Sequence, residues 1–114
     1  AKAGAFVEMK KAHIGNGTKV PHLSYVGDAQ LGDHTNNGGG TITANYDGVH
    51  KNSTTIGSGC HVGAGNLFVA PVEVGDNVTT GAGSVVRHAV PSDTMVYSEN
   101  TQHNVEGWKP AWER

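Results

Sequence analysis

A six-residue period constrains this chain more than any other feature. From Ile56, every sixth residue reads Ile56, Val62, Phe68, Val74, Thr80, Val86, five apolar residues in six with no slip of phase. Glycine follows directly at Gly57, Gly63, Gly75 and Gly81. The fourth residue after each start is small or β-branched at Cys60, Val72, Val78, Ser84 and Val90, with Asn66 the exception. Upstream the frame passes through Ile14, Val20 and Val26, then shortens by one residue to Leu31, Asn37 and Thr43. Such a period matches neither the ~3.6 of an amphipathic helix nor the simple alternation of a long strand. It fits a solenoid in which each hexad supplies one short strand and one tight turn. The apolar residue points inward, glycine relieves the turn, and the small residue fits a narrow interior. Three hexads close a triangular coil, and coils stack at ~4.8 Å, pairing backbone groups between successive coils. The expected architecture is an all-β prism. A disordered linker would not hold phase from Ile56 to Val90, and a propeller needs longer repeats.

Composition narrows the function classes. With 114 residues the chain is one domain, short enough that partner subunits are expected. The formal charge of −2 and the absence of a basic run argue against nucleic acid. No apolar run approaches the ~20 residues of a membrane span, so a soluble protein is expected. A single cysteine, Cys60, allows no internal disulfide and fits a reducing compartment, the cytoplasm by default. Cys60 stands at an interior hexad position, as a small buried hydrophobe.

The period fails between Thr43 and Ile56, a step of 13 residues where 12 would hold the frame. In ANYDGVHKNSTT only Val49 stands at an inward site, and Asp47-Gly48 is a turn signal, so the chain is expected to leave the coil in an outward loop at about 44–55. Solenoids commonly carry their binding groups on such loops. Upstream, His22 and Tyr25 in PHLSYVGD and the run from Thr35 through Gly40 fall on neighbouring coils, where an imidazole, a phenol, carboxamides and a lysine can share a groove. The coils are expected over about 8–91. The tail 92–114 is aperiodic, with Trp108 and Trp112 expected to cover a prism face or a neighbouring subunit.

FVEMKKAHIGNGTKVPHLSYVGDAQLGDHTNNGGGTITANYDGVHKNSTTIG, with FVAPVEVGDNVTTGAGSVV and the TQ and EGW of the tail, resembles the acetyltransferase half of the bacterial bifunctional N-acetylglucosamine-1-phosphate uridyltransferase/glucosamine-1-phosphate acetyltransferases. The resemblance covers nearly the whole chain, and FVEMKK, PHLSYVGDA and NYDG together make it specific. It implies a left-handed parallel β-helix of hexapeptide repeats, a homotrimer with active sites between subunits, and acetyl transfer from acetyl-CoA to the amine of glucosamine-1-phosphate, without a metal. That step belongs to UDP-N-acetylglucosamine synthesis for peptidoglycan and lipopolysaccharide. By motif, His22 matches the catalytic base and Glu8 a carboxylate that orients it. Lys10, Tyr25, Asn36 and Lys51 match sugar-phosphate ligands. Gly39, Asn45, Tyr46, Ala64 and Ala82 match positions lining the acetyl-CoA site. No uridyltransferase domain precedes Ala1, so no uridyltransferase activity is expected of these residues.

The residue types suit that chemistry. An imidazole with an ordinary pKa of about 6.5 can take the proton of a sugar ammonium near neutrality. Backbone N–H groups beside Ala64 and Ala82 can face a developing oxyanion, and two lysines can meet a phosphate. Three positions depart from the family pattern: Ala64 stands where serine is common, Glu99 where an arginine meets CoA phosphate, and Asn37 at a normally apolar inward site. Two other readings compete. One is a non-catalytic trimeric module that assembles and binds CoA. The other is a zinc lyase of the γ-carbonic anhydrase type, which the seven histidines invite but their spacings do not support.

Overall fold

A computed structural model describes all residues, 1–114, and resolves the chain into short strands with a single 3₁₀ turn at Ala111–Glu113. The first coil is β1 (Lys2–Ala5), β2 (Glu8–Lys10) and β3 (His13–Ile14). The second is β4 (Lys19–His22), β5 (Tyr25–Gly27) and β6 (Ala29–Leu31), and the third β7 (Asn36–Asn37), β8 (Ile42–Ala44) and β9 (Thr54–Ile56). The fourth is β10 (His61–Val62), β11 (Leu67–Val69) and β12 (Val72–Val74), followed by β13 (Thr79–Thr80), β14 (Val85–Val86) and β15 (Met95–Val96). Strands of successive coils pair in parallel into three sheets. Sheet A runs β1-β4-β7-β10-β13-β15, sheet B β2-β5-β8-β11-β14, and sheet C β3-β6-β9-β12. The result is a parallel β-solenoid of about five turns.

The hexad frame is the lining of this solenoid. Val20, Val26, Leu31, Asn37, Thr43, Ile56, Val62, Phe68, Val74, Thr80 and Val86 are all buried, and so are the small positions Cys60, Asn66, Val72, Val78, Ser84 and Val90. The shortened step before Leu31 and the 13-residue step before Ile56 therefore preserve the inward register. Packing follows size: Phe68, the largest interior side chain, stacks beside the smaller Thr43 and Val86. Interior hydroxyls other than that of Thr54 find partners at the corners. The Thr35 hydroxyl donates to the Gly57 carbonyl and accepts from the Cys60 N–H, and the Ser84 hydroxyl donates to the Gly81 carbonyl. Asn66 Nδ2 donates to the carbonyls of Gly63 and Gly81. Asn37 Nδ2 has no partner.

The coil is longer at both ends than its apolar pattern suggests. The strand Lys2–Ala5 pairs with Lys19–His22 and opens the coil in which the frame first becomes visible at Ile14. Its inward side carries only small residues, so no periodic apolar signal marks it. Met95–Val96 adds a last strand to sheet A, and the Ser98 hydroxyl accepts the Val85 N–H. Beyond Asn100 every residue to Lys109 is exposed. Trp108 and Trp112 are 62% and 85% exposed, so neither covers a face of this prism; the Arg114 guanidinium instead lies 5.5 Å from the Trp108 ring centre.

Candidate active site

The chain leaves the prism after Ala44 and re-enters at Thr54, so the excursion comprises residues 45–53. It is a small antiparallel hairpin closed by a Tyr46–Lys51 bridge. Asp47 builds its tip as Asp-Gly chemistry demands: its carboxylate accepts the Val49 and His50 N–H groups at 2.8 and 2.7 Å, and Gly48 takes the left-handed φ of 99°. Those two donors, His50 first, hold the Asp47 carboxyl below the usual carboxylate range. At the neck, the Asn52 N–H donates to the Asn45 carbonyl at 2.6 Å.

Two groups of expected site residues form on opposite edges of sheet B. At the edge shared with sheet C, Lys51 returns from the loop to stand beside Lys10 at the end of β2. Like-charge repulsion from Lys10 first, then from Lys11, with desolvation, pulls the Lys51 ammonium below the ordinary lysine range; Asp28 opposes them. Asn45 Nδ2 donates to Asp28 Oδ2 at 2.8 Å and to the Tyr25 hydroxyl at 3.2 Å. Room for this contact comes from Gly27, where an added Cβ would stand 2.3 Å from the Tyr25 hydroxyl oxygen and 2.6 Å from Asn45 Nδ2.

At the edge shared with sheet A, residues of equivalent turns stack along the prism axis. His22 pairs with Ala5 below it, and its ring lies over Gly39, where a Cβ would meet Cδ2 at 2.9 Å. Above follow Ala64 and Ala82, tied by hydrogen bonds from Gly65 N to Gly39 O and from Gly83 N to Ala64 O. The corner between sheets C and A is a useful contrast. There the N–H groups of Asn16 and Ser58 donate to the carboxylates of Asp33 and Asp76, and those of Asp33 and Asp76 donate to Ser58 and Ser92 hydroxyls. At the His22 edge the same turn position holds Gly39, Ala64 and Ala82, which offer no side-chain acceptor to the next coil. Their backbone N–H groups donate to no protein atom. One corner is sealed by side chains; the other presents a row of free donors.

The remaining expected residues stand apart. Asn36 faces outward on sheet A between Lys19 and His61, away from Lys10 and Lys51. Glu8 faces outward on sheet B opposite Tyr25 and makes no hydrogen bond to His22 within the chain. Glu99 lies between Ser98 and Asn100, whose Nδ2 donates to Gly83 O, so a carboxylate stands at the far end of the donor row. Cys60 is buried inside the prism. Within the chain, no three His, Cys, Asp or Glu side chains gather as a metal-ligating group. The surface grooves lie on sheet C, around Thr55 and Glu73, and none is lined by an expected site residue. Residue reading overlooked Asp28 and Gly27; the only signal was a Gly-Asp pair one residue beyond an inward valine.

Comparison with known proteins agrees with the hexapeptide-repeat solenoid. Residues 53–88 match the family described as bacterial transferase hexapeptide (six repeats). Over all 114 residues the chain is 98% identical to the bifunctional protein GlmU of Bifidobacterium longum strain DJO10A, of which it spans 25%. It is 60% identical over 108 residues to GlmU of Streptomyces griseus, of which it spans 22%. Among solved structures it is similar to the serine acetyltransferase of Neisseria gonorrhoeae in complex with serine, with a TM-score of 0.66 and 26% identity over 81% of this chain and 39% of that one. The H141N perosamine N-acetyltransferase of Caulobacter crescentus, in complex with CoA and GDP-perosamine, shares the fold with a TM-score of 0.65 and 18% identity over 82% and 49% of the two chains. No helix is long and apolar enough to cross a membrane. Parallel hexad coils, a continuous frame and near-identity to one quarter of GlmU place the chain in the GlmU family, as its C-terminal, hexapeptide-repeat part.

Proposed function

We propose that this chain transfers the acetyl group of acetyl-CoA to the amine of glucosamine-1-phosphate. The observation that carries the reading is the row of free N–H groups at Gly39, Ala64 and Ala82 with His22 at its end, facing across sheet B from paired lysines. A pantetheine arm carries amide carbonyls and ends in a thioester, so a row of backbone donors suits it, and small side chains let it approach. Lys10 and Lys51 repel one another until an anion lies between them, which suits a phosphate.

In this mechanism the sugar ammonium first releases one proton to solvent, and the His22 imidazole accepts a second from the amine nitrogen as it attacks. The amine lone pair attacks the thioester carbonyl, the C–N bond forms, and charge moves to the carbonyl oxygen. A backbone N–H of the donor row meets that oxyanion where it develops. With Ala64 in place of serine, no hydroxyl shares the task. Collapse breaks the C–S bond, and the thiolate leaves with the proton returned by His22. Tyr25 and Asn36 bind the sugar phosphate, Glu8 orients the base, and Asn45 and Tyr46 border the acetyl-CoA site.

The isolated prism is convex at all these residues, whereas small-molecule sites are concave. We therefore place the site between copies in a homotrimer. The outer face of sheet B supports this: Tyr25, Leu67 and Val85 are half-buried, and Ile42 is 47% exposed with no cover. A cytoplasmic location fits the acetyl-CoA supply. Product analysis tests the proposal. Incubation with acetyl-CoA and glucosamine-1-phosphate should give N-acetylglucosamine-1-phosphate by mass spectrometry, and sedimentation should report a trimer. Tight CoA binding with no acetylated product would instead establish a binding module.

A further inference from the structure

Asp28 belongs to no part of the machinery described so far, yet it touches every segment that shapes the lysine edge. It occupies the corner between β5 and β6 in the left-handed conformation, with φ of 47°. Its N–H donates to the Lys10 carbonyl at 2.8 Å, and its own carbonyl accepts the Thr54 N–H at 3.1 Å where the loop returns to the prism. Its carboxylate accepts Asn45 Nδ2 at 2.8 Å where the loop departs. One half-buried residue thus holds both ends of the loop neck and the strand that carries Lys10.

The donor count gives this contact a chemical consequence. Asn45 Nδ2 has two hydrogens, and both are committed, one to Asp28 and one to the Tyr25 hydroxyl oxygen. An ionised carboxylate can only accept, so it fixes which end of the Asn45 amide faces inward. The Tyr25 oxygen, already accepting from that amide, is left with its own O–H free to donate outward. We propose that Asp28 is a positioning residue, which orients Asn45 so that the Tyr25 hydroxyl becomes a donor toward the sugar phosphate. The loop and the sugar-phosphate site are then set by one hydrogen-bonded chain, Asp28 to Asn45 to Tyr25.

The kinetic consequence rests on the proposed acetyl transfer; the clamp does not, and two readouts separate them. Amide hydrogen exchange of residues 45–53 in the intact chain should accelerate about tenfold in Asp28→Ala, since a charge-assisted bond at the neck is lost, while the coils keep their protection. In acetyl transfer, Asp28→Ala should raise KM for glucosamine-1-phosphate about tenfold with kcat within about threefold, and Asp28→Asn, which retains an acceptor, should recover most of that loss. Gly27→Ala, whose Cβ would stand 2.3 Å from the Tyr25 hydroxyl oxygen and 2.6 Å from Asn45 Nδ2, should give the same KM defect. Adding Tyr25→Phe to Asp28→Ala should cost less than the two single effects combined. Unchanged loop exchange in Asp28→Ala overturns the clamp, whatever the activity. Faster exchange with an unchanged KM, or full additivity with Tyr25→Phe, overturns the positioning role. If the wild-type chain acetylates no sugar phosphate, the proposed function fails while the exchange result still decides the clamp.

Discussion

Replacing Asn37 with valine should stabilise the prism without touching catalysis. Asn37 is 1% exposed and sits in the inward column of sheet A between Val20 and Val62. Its Nδ2 reaches no acceptor. A buried donor left unpaired costs about 1–3 kcal/mol. Valine matches the column on either side, and burying its two methyl groups adds roughly 1.6 kcal/mol at ~0.8 kcal/mol per carbon. Part of the gain is offset because the denatured chain already shields some apolar surface. A net stabilisation of about 2 kcal/mol is expected, which for a domain of this size corresponds to roughly 8–16 °C in Tm. Denaturant unfolding at fixed protein concentration is the assay, because a shifted midpoint with an unchanged slope isolates stability. A midpoint that stays put or falls would refute the reasoning, and would mean that the amide is satisfied inside the prism.

Four further outcomes follow from the site. His22→Ala should lower kcat by about 100-fold or more while the assembly stays intact, as loss of a general base does; an unchanged kcat in steady-state assays would exclude His22 as the base. Lys51→Ala should act mainly on KM for the sugar phosphate, by about tenfold for one charge-assisted contact, and a loss confined to kcat would contradict that role. For pH, the lowered Lys51 pKa means that its repulsion by Lys10 opposes folding while both are charged and fades as pH rises through that pKa. An anion between them should accordingly bind best below it and weaken above it, in a titration of phosphate affinity against pH. Glu99→Arg should lower KM for acetyl-CoA about fivefold, since a repulsive charge at the end of the donor row becomes an attractive one; no change would move the CoA phosphate elsewhere.

The interior of this fold was legible because the inward positions, Asn37 and Asn66 apart, are apolar or small and recur at six, a rule that survives one shortened step and one loop. Asp47-Gly48 likewise marked its turn through local chemistry alone. What escaped was set by stacking. The strand Lys2–Ala5 has no large inward residue to announce it and exists because Lys19–His22 offers it a partner. Asp28 and Gly27 matter only because Asn45, 17 residues after Asp28, folds back onto them. The free N–H groups of Gly39, Ala64 and Ala82 become visible only when the corner sealed by Asp33 and Asp76 is set beside them. Asn36 and Glu8, identified through motif resemblance, are not drawn to His22 by contacts of a single chain.

The most direct test of the account is the release of free thiol from acetyl-CoA by the purified chain, measured with glucosamine-1-phosphate, with glucosamine and with no acceptor. Steady thiol release is expected with the phosphorylated sugar, and little with glucosamine, which offers nothing to Lys10 and Lys51. Equal release with both sugars, or none with either from a folded assembly, would contradict it.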